Sequence, residues 1–288
     1  MRKYKLIEHK LMIIAVLLLI SAMISGCLNK EGPDDVSTDN SSGISEDVKT
    51  DPAHRSDVLY QISTINALLE GVYDGETTLE TLKQQGDFGI GTFTALDGEM
   101  IMLDGEIYQV KDDGVAYITS DSMTTPFAAV TFFEADETGA INETMSKVQM
   151  EEYLEKMMPN PNIMYAVKIS GTFDHMRTRS VPRQAQPYPK LAEVTKNQRT
   201  FEFTNVSGTI VGFWLPTYMN DINVPEYHLH FITDSKDAGG HILDFNISNG
   251  YVEIDNTYDF YMSLPQNDDL MDIDMSKENN SELELVEK

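Results

Sequence analysis

The stretch Tyr227-His228-Leu229-His230-Phe231, followed by Gly239-Gly240-His241, holds the residues best suited to chemistry. In an extended strand, residues two apart share a face. His228 and His230 therefore present both imidazoles on one side, while Leu229 and Phe231 turn into apolar packing. Asp237, Gly239 and Gly240 precede His241 and leave enough chain for a hairpin that returns to the same place. Three neutral imidazoles leave a fourth position open on a zinc-type ion, which is the catalytic rather than the structural arrangement. The bland alternative is three unrelated strand histidines with ordinary hydrogen bonds, because bare motifs often mislead. Against it, three of the six histidines crowd into residues 228–241.

Two further groups carry charge in suggestive places. Glu99 follows an Asp97-Gly98 turn, where a lone glutamate is more often a solvated strand-end carboxylate. Arg177 and Arg179 lie two apart and share a strand face. In so acidic a chain they form a cationic spot where a substrate carboxylate can dock in a bidentate pair, or else they make surface salt bridges.

These residues need a frame. The chain has 288 residues, 41% of them hydrophobic, enough for one large domain or two small ones. Its formal charge of −26 argues against nucleic acid and anionic membrane surfaces as partners. Residues 1–26 read as a signal peptide: Arg2, Lys3, Lys5 and Lys10 precede an apolar run from Leu11 to Ile24 that is short for a transmembrane span. The run ends in Ile24-Ser25-Gly26-Cys27, which resembles the lipobox of prokaryotic lipoproteins and implies export and a lipid on Cys27, the sole cysteine. With one cysteine no intrachain disulfide forms. Residues 27–55 are rich in Ser, Asp, Gly, Glu and Pro and read as a disordered tether.

Residues 56–288 form the folded part. Apolar spacing predicts a helix over Ser56 to Leu69 and a second, short one after Thr78. Asp97-Gly98 and Asp104-Gly105 predict hairpins linking strands over Phe88 to Leu96, Glu99 to Leu103 and Glu106 to Val110. Strands follow over Val115 to Thr119 and Ala128 to Phe133, then a helix over Ser146 to Met158 that Pro159 and Pro161 end. Further strands fall over Ile163 to Phe173, Thr200 to Thr204, Ser207 to Leu215, the histidine segment with its return to Ile247, and a strand pair over Tyr251 to Leu264. A short helix lies within Pro187 to Lys196 and a last one over Ser281 to Lys288. The fold class is α+β and β-rich: mixed and antiparallel sheets, a few short helices and two closely packed subdomains, with a split near residues 160–200.

Four stretches together resemble the α-acetolactate decarboxylase family: Gly86 to Val110 (GDFGIGTFTALDGEMIMLDGEIYQV), Gly171 to Gln184 (GTFDHMRTRSVPRQ), Gly208 to Pro216 (GTIVGFWLP) and Tyr227 to Phe245 (YHLHFITDSKDAGGHILDF). The resemblance runs from about Ser56 to the C-terminus. It implies a zinc or other divalent ion on His228, His230 and His241. It implies an active-site glutamate at Glu99, with Thr92 in the preceding Gly-Thr-Phe, and an active-site arginine at Arg179, leaving Arg177 a neighbour without a role. The family also brings a second glutamate from its C-terminal tail. Here Lys288 stands where a glycine is usual, and either Glu287 or Glu284 fits, with Glu287 favoured.

By this resemblance the substrate is 2-acetolactate and the products are acetoin and carbon dioxide. A β-keto acid loses its carboxylate by moving electrons onto the ketone oxygen, where a metal ion acts as Lewis acid and a glutamate then delivers a proton. A homodimer is left open, and a membrane is met only through the lipid, on the outer face of the cell membrane. Two rivals are an exported lipoprotein that binds metal or a small acid without turnover, and a cupin-like oxygenase. The cupin glutamate expected after a His-x-His strand is replaced here by Thr233 and Asp234.

Overall fold

The computed structural model describes residues 57–275 and 280–287. The expected leader 1–26, the expected lipidation site Cys27 and the expected tether 27–55 lie outside them. The strands are β1 (Val58–Ile62), β2 (Thr77–Thr78), β3 (Phe88–Thr92), β4 (Glu99–Leu103), β5 (Glu106–Val110), β6 (Ala116–Ile118), β7 (Thr124–Thr125), β8 (Ala128–Thr131), β9 (Glu137–Ile141), β10 (Met145–Ser146), β11 (Met164–Ser180), β12 (Arg199–Leu215), β13 (Glu226–Thr233), β14 (Gly239–Thr257) and β15 (Asp259–Ser263). The helices are α1 (Ile65–Leu69), α2 (Leu79–Lys83), α3 (Lys147–Met157), α4 (Leu191–Val194), α5 (Asp268–Asp272) and α6 (Asn280–Glu287).

A seven-stranded sheet has the order β15-β1-β8-β3-β4-β5-β6, antiparallel except that β15 lies parallel to β1. Its central strands β3, β4 and β8 are buried along their whole length. Both faces are covered, as such continuous burial requires. One face packs Phe88, Ile90 and Ile101 against Val211, Phe213 and Ile232 of the second sheet. The other packs Met100, Met102 and Val130 against Leu79 and Leu82 of α2. The second sheet is antiparallel, in the order β10-β14-β11-β12-β13, with β9 added on β14. Near its start β14 also pairs with β13, so β11, β12, β13 and β14 close into a ring. Phe173, Phe231 and Phe245 fill its interior edge to face. A β-rich α+β fold with mixed and antiparallel sheets is thus the observed class.

Three local expectations need correction. The predicted helix over Ser56 to Leu69 is a strand and then a helix. β1 is claimed on one side by β8 and on the other by β15, and Ser63 breaks the segment at φ 61° before Thr64 caps α1. Pairing on both edges outweighs a short helical periodicity. The strand expected over Ile163 to Phe173 runs further. β11 continues through Arg177 and Arg179 to Ser180, held between β12 and β14. The strand pair expected over Tyr251 to Leu264 is not a hairpin either. At Tyr258 the chain crosses to the seven-stranded sheet, and the Asp57 carbonyl accepts from both Tyr258 and Asp259 N–H. The other helices follow their local signals. Thr78 caps α2, and Ser146 with Gln149 forms a reciprocal capping box on α3.

One buried carboxyl sits away from the histidines. Asp255 on β14 is 1% exposed, and its Oδ2 accepts the Glu134 N–H at 3.4 Å. Burial first, then the charges of Asp136, Asp57 and Glu134, push its carboxyl up to about 8, against the opposing Glu134 N–H. A folded pKa above the unfolded one stabilises the protein at low pH, and that contribution is lost as pH rises through the folded value. Melting temperature should therefore decline from pH 5 to pH 9. Asp255→Asn should make that decline shallower and gain on the order of 1 kcal/mol or more at pH 9. An unchanged slope in the Asn variant would assign the alkaline loss to other groups.

Candidate functional site

Two neighbouring antiparallel strands supply the histidines. His228 and His230 alternate along β13, and His230 lies directly opposite His241 of β14. The turn between these strands is held by the Thr178 hydroxyl, which donates to the Gly239 carbonyl at 2.8 Å. Gly240 sits at φ 132°, and a Cβ there would lie 2.5 Å from the Arg179 carbonyl, so only glycine lets β14 approach β11 this closely. The three rings stand 5.2 to 5.3 Å apart between centroids, and one nitrogen of each lies within 4.8 Å of the others.

All three imidazoles are buried, at 7%, 1% and 3% exposure for His228, His230 and His241. Burial first, and the Arg179 charge with it, lowers His228 to about 3 and holds His230 and His241 well below the usual histidine value. They are neutral, the form that binds metal. His230 Nδ1–H donates to the Met100 carbonyl at 2.8 Å, which fixes the tautomer and leaves Nε2 its lone pair. That Nε2 is buried without a hydrogen-bond partner. Three neutral, converging nitrogens, one of them oriented by a backbone carbonyl, fit a divalent ion of the zinc type. His175, by contrast, pairs with Glu202 at 2.6 Å on an exposed part of the ring.

Glu99 is not solvated. It opens β4 between Thr92 of β3 and Val110 of β5, at 7% exposure. Its Oε1 accepts from Arg179 Nη1 at 3.0 Å, and its Oε2 lies 3.7 Å from His230 Nε2. Thr92 lines the same cavity, with its hydroxyl donating to the Gly98 carbonyl at 2.7 Å. Arg179 Nη2 donates to the Val286 carbonyl of α6 at 3.1 Å, while its Nε is buried without a partner. Arg177 points elsewhere, 3.5 Å from Glu202. The tail does reach the site. Glu287 Oε2 is 3.5 Å from His241 Nε2 and 3.9 Å from His228 Nε2, whereas Glu284 is exposed. Because the imidazoles are neutral, these are close approaches and not ion pairs.

The two carboxyls are poised differently from ordinary ones. Burial pushes Glu99 up to about 7, opposed by Arg179 and reinforced by Glu287. Burial also raises Glu287 to about 6, again opposed by Arg179. Both can exchange a proton near neutrality. Around them runs an apolar wall of Ile65, Leu68, Leu96, Phe127, Leu191 and Val286. Sequence reasoning gave these residues no part in the site. α1, α4 and α6 bring three apolar contributions from distant segments, and their short periodicities look like any core packing.

A sequence model of alpha-acetolactate decarboxylase matches residues 59–277. The chain belongs to the alpha-acetolactate decarboxylase family. The alpha-acetolactate decarboxylase of Methanosarcina mazei is 51% identical over 233 residues, 81% of each chain. That of Methylococcus capsulatus is 42% identical over 234 residues, 81% of this chain and 90% of the other. The crystal structure of alpha-acetolactate decarboxylase from Bacillus subtilis superposes with a TM-score of 0.78 at 39% identity, over 80% of this chain and 99% of that one. The family match covers the histidine strands, Glu99 and Arg179. It ends before α6, so the placement of Glu287 rests on geometry.

Proposed function

We propose that the protein decarboxylates 2-acetolactate to acetoin and carbon dioxide, with a divalent ion, zinc foremost, on His228, His230 and His241. The observation that carries this reading is the convergence of Glu99, Arg179 and Glu287 on the face where the three imidazole nitrogens meet, in a chain of this family. A bound ion supplies Lewis-acid stabilisation of the negative charge that grows on the substrate oxygens as carbon dioxide leaves. The chain supplies the rest. Arg179 presents its unpartnered buried Nε–H to the substrate carboxylate. The C–C bond to that carboxylate breaks, and its electron pair delocalises toward the ketone oxygen. A carboxyl with a raised pKa, Glu99 or Glu287, then delivers a proton to the carbon that lost carbon dioxide. The apolar wall takes the two methyl groups and excludes water.

A site built only to capture metal more often closes the fourth position with a protein ligand. Two proton-exchanging carboxyls and a buried guanidinium favour turnover. The deciding experiment loads the full chain with zinc, adds 2-acetolactate and measures acetoin. Turnover that stops with a chelator and returns with zinc is expected. Fully loaded protein that binds acetolactate and makes no acetoin would leave a binding lipoprotein instead.

The lipobox-like Ile24-Ser25-Gly26-Cys27 supports export and anchoring of this activity by a lipid on Cys27. Cys27→Ser should leave the chain unprocessed or free of membranes, with the same activity per folded molecule. A Cys27→Ser chain that is cleaved as in wild type and still retained on membranes equally, read by fractionation and mass spectrometry, would rule out the lipid as anchor.

A further inference from the structure

Glu99 follows directly on Asp97 and Gly98, so the pose of its carboxyl depends on that turn. The approach to the turn is unfavourable for the residues it contains. Ala95 and Leu96 stand at φ 65° and 52°, a region that non-glycine residues avoid. Such a segment stays in place only when its surroundings over-determine it. Ala95 is held by backbone bonds, its N–H donating to the Tyr73 carbonyl at 2.8 Å and its carbonyl accepting from the Gln184 N–H at 2.8 Å, and two buried side chains hold the turn itself. The Thr92 hydroxyl holds the Gly98 carbonyl at 2.7 Å, and the Gln109 amide donates to the Asp97 carbonyl at 2.6 Å. Gln109 is 4% exposed and lies on β5, opposite Met100, outside the cavity wall.

β5 also touches the other half of the pair. The Val110 carbonyl accepts from the Ser180 hydroxyl at 2.8 Å, and Ser180 is fully buried and adjoins Arg179. The same carbonyl lies 2.3 Å from where a Cβ would stand on Gly98, so the turn is seated directly against β5. One strand therefore grips the turn ahead of Glu99 through Gln109 and the residue after Arg179 through Val110.

We propose that Gln109 is a positioning residue of the reaction, which with Ser180 sets the Glu99 carboxyl against the Arg179 guanidinium. This rests on the decarboxylation reading above. A carboxyl and guanidinium that must meet one substrate work within a tolerance of about 0.5 Å. Loss of the Gln109 amide removes one of the contacts that hold the turn to that tolerance. Gln109 touches no substrate, so its whole effect passes through Glu99.

The test is a double-mutant cycle on the zinc-loaded full chain. Gln109→Met, which keeps side-chain length without the donor, and Ser180→Ala are each made in the native and the Glu99→Gln backgrounds. In the native background each should lower kcat by about 10- to 100-fold. KM should stay within about 2-fold and zinc content should stay full. In the Glu99→Gln background Gln109→Met should alter the residual kcat by less than about 2-fold, whereas Ser180→Ala, which also acts on Arg179, should still lower it. Native kcat in folded Gln109→Met would overturn the proposal, as would equal losses from it in both backgrounds, which would mark a general packing role. If Gln109→Met fails to fold, Gln109→Leu decides on the same criteria. Loaded native protein that makes no acetoin would remove the decarboxylation reading, and this proposal with it.

Discussion

His230→Ala should empty the site of metal and of activity. The proposed set of three ligands leaves no redundancy, and His230 is the one that the Met100 carbonyl orients. Losing even a partner of a metal ligand typically costs about 10- to 100-fold in metal affinity, so loss of the ligand itself should exceed about 100-fold. His228→Ala and His241→Ala should behave alike. The fold should survive, because β11 pairs along its length with β12 and β14, β12 pairs with β13, and phenylalanines fill the interior. Metal analysis of the purified variants, with circular dichroism as the control for folding, checks this. Any of the three that retains a wild-type zinc content leaves the ligand set.

Removing α6 should cost nearly as much in rate and almost nothing in metal. Leu283 and Val286 of α6 are buried among Ile65, Leu68 and Leu191, so the helix is docked through its apolar side. That docking brings Glu287 within 3.5 Å of His241 Nε2 and gives Arg179 the Val286 carbonyl to bind. A chain ending at Lys277 should fold, bind zinc and lose about 10²- to 10⁴-fold in kcat, the usual worth of a positioned proton donor or acceptor. Glu287→Gln should reproduce most of that loss. Glu284→Gln should leave the rate near wild type, since Glu284 is exposed. Full rate and unchanged product stereochemistry in the shortened chain would assign the proton chemistry to Glu99. A loss on Glu284→Gln instead would mean a different register of the tail in solution.

What the sequence made legible is what local chemistry determines. Asp104-Gly105 makes the two-residue turn from β4 to β5, because its backbone accepts that turn. The strand expected over Phe88 to Leu96 instead stops at Thr92, and a 3-10 turn over Thr94–Leu96 leads through Asp97-Gly98 to β4. The alternation of His228, Leu229, His230 and Phe231 assigned faces correctly, since a strand offers only two. The rest depends on partners far along the chain. Nothing near Val58 announces that β8 and β15 will flank it and turn a helical spacing into a strand. Nothing near Glu99 announces that Arg179 and the end of the chain will bury it. A lone carboxylate after a turn is ordinarily wet, and only the family resemblance suggested otherwise. The tail was ambiguous for a similar reason: Glu284 and Glu287 are three apart on one helix, and only the docked face of α6 separates them.

The parallel pairing of β1 with β15 has a consequence for synthesis. Val58 finds its neighbour only when Asp259 has been made, and Ile62 waits for Ser263. The pairing is therefore among the most non-local in the chain, of the kind that slows folding. A ribosome-bound chain has β1 with an open edge for almost the whole of translation, and α6 comes later still. The seven-stranded sheet cannot complete itself before β15 has emerged, and until then that open edge is the point where a chaperone is most needed.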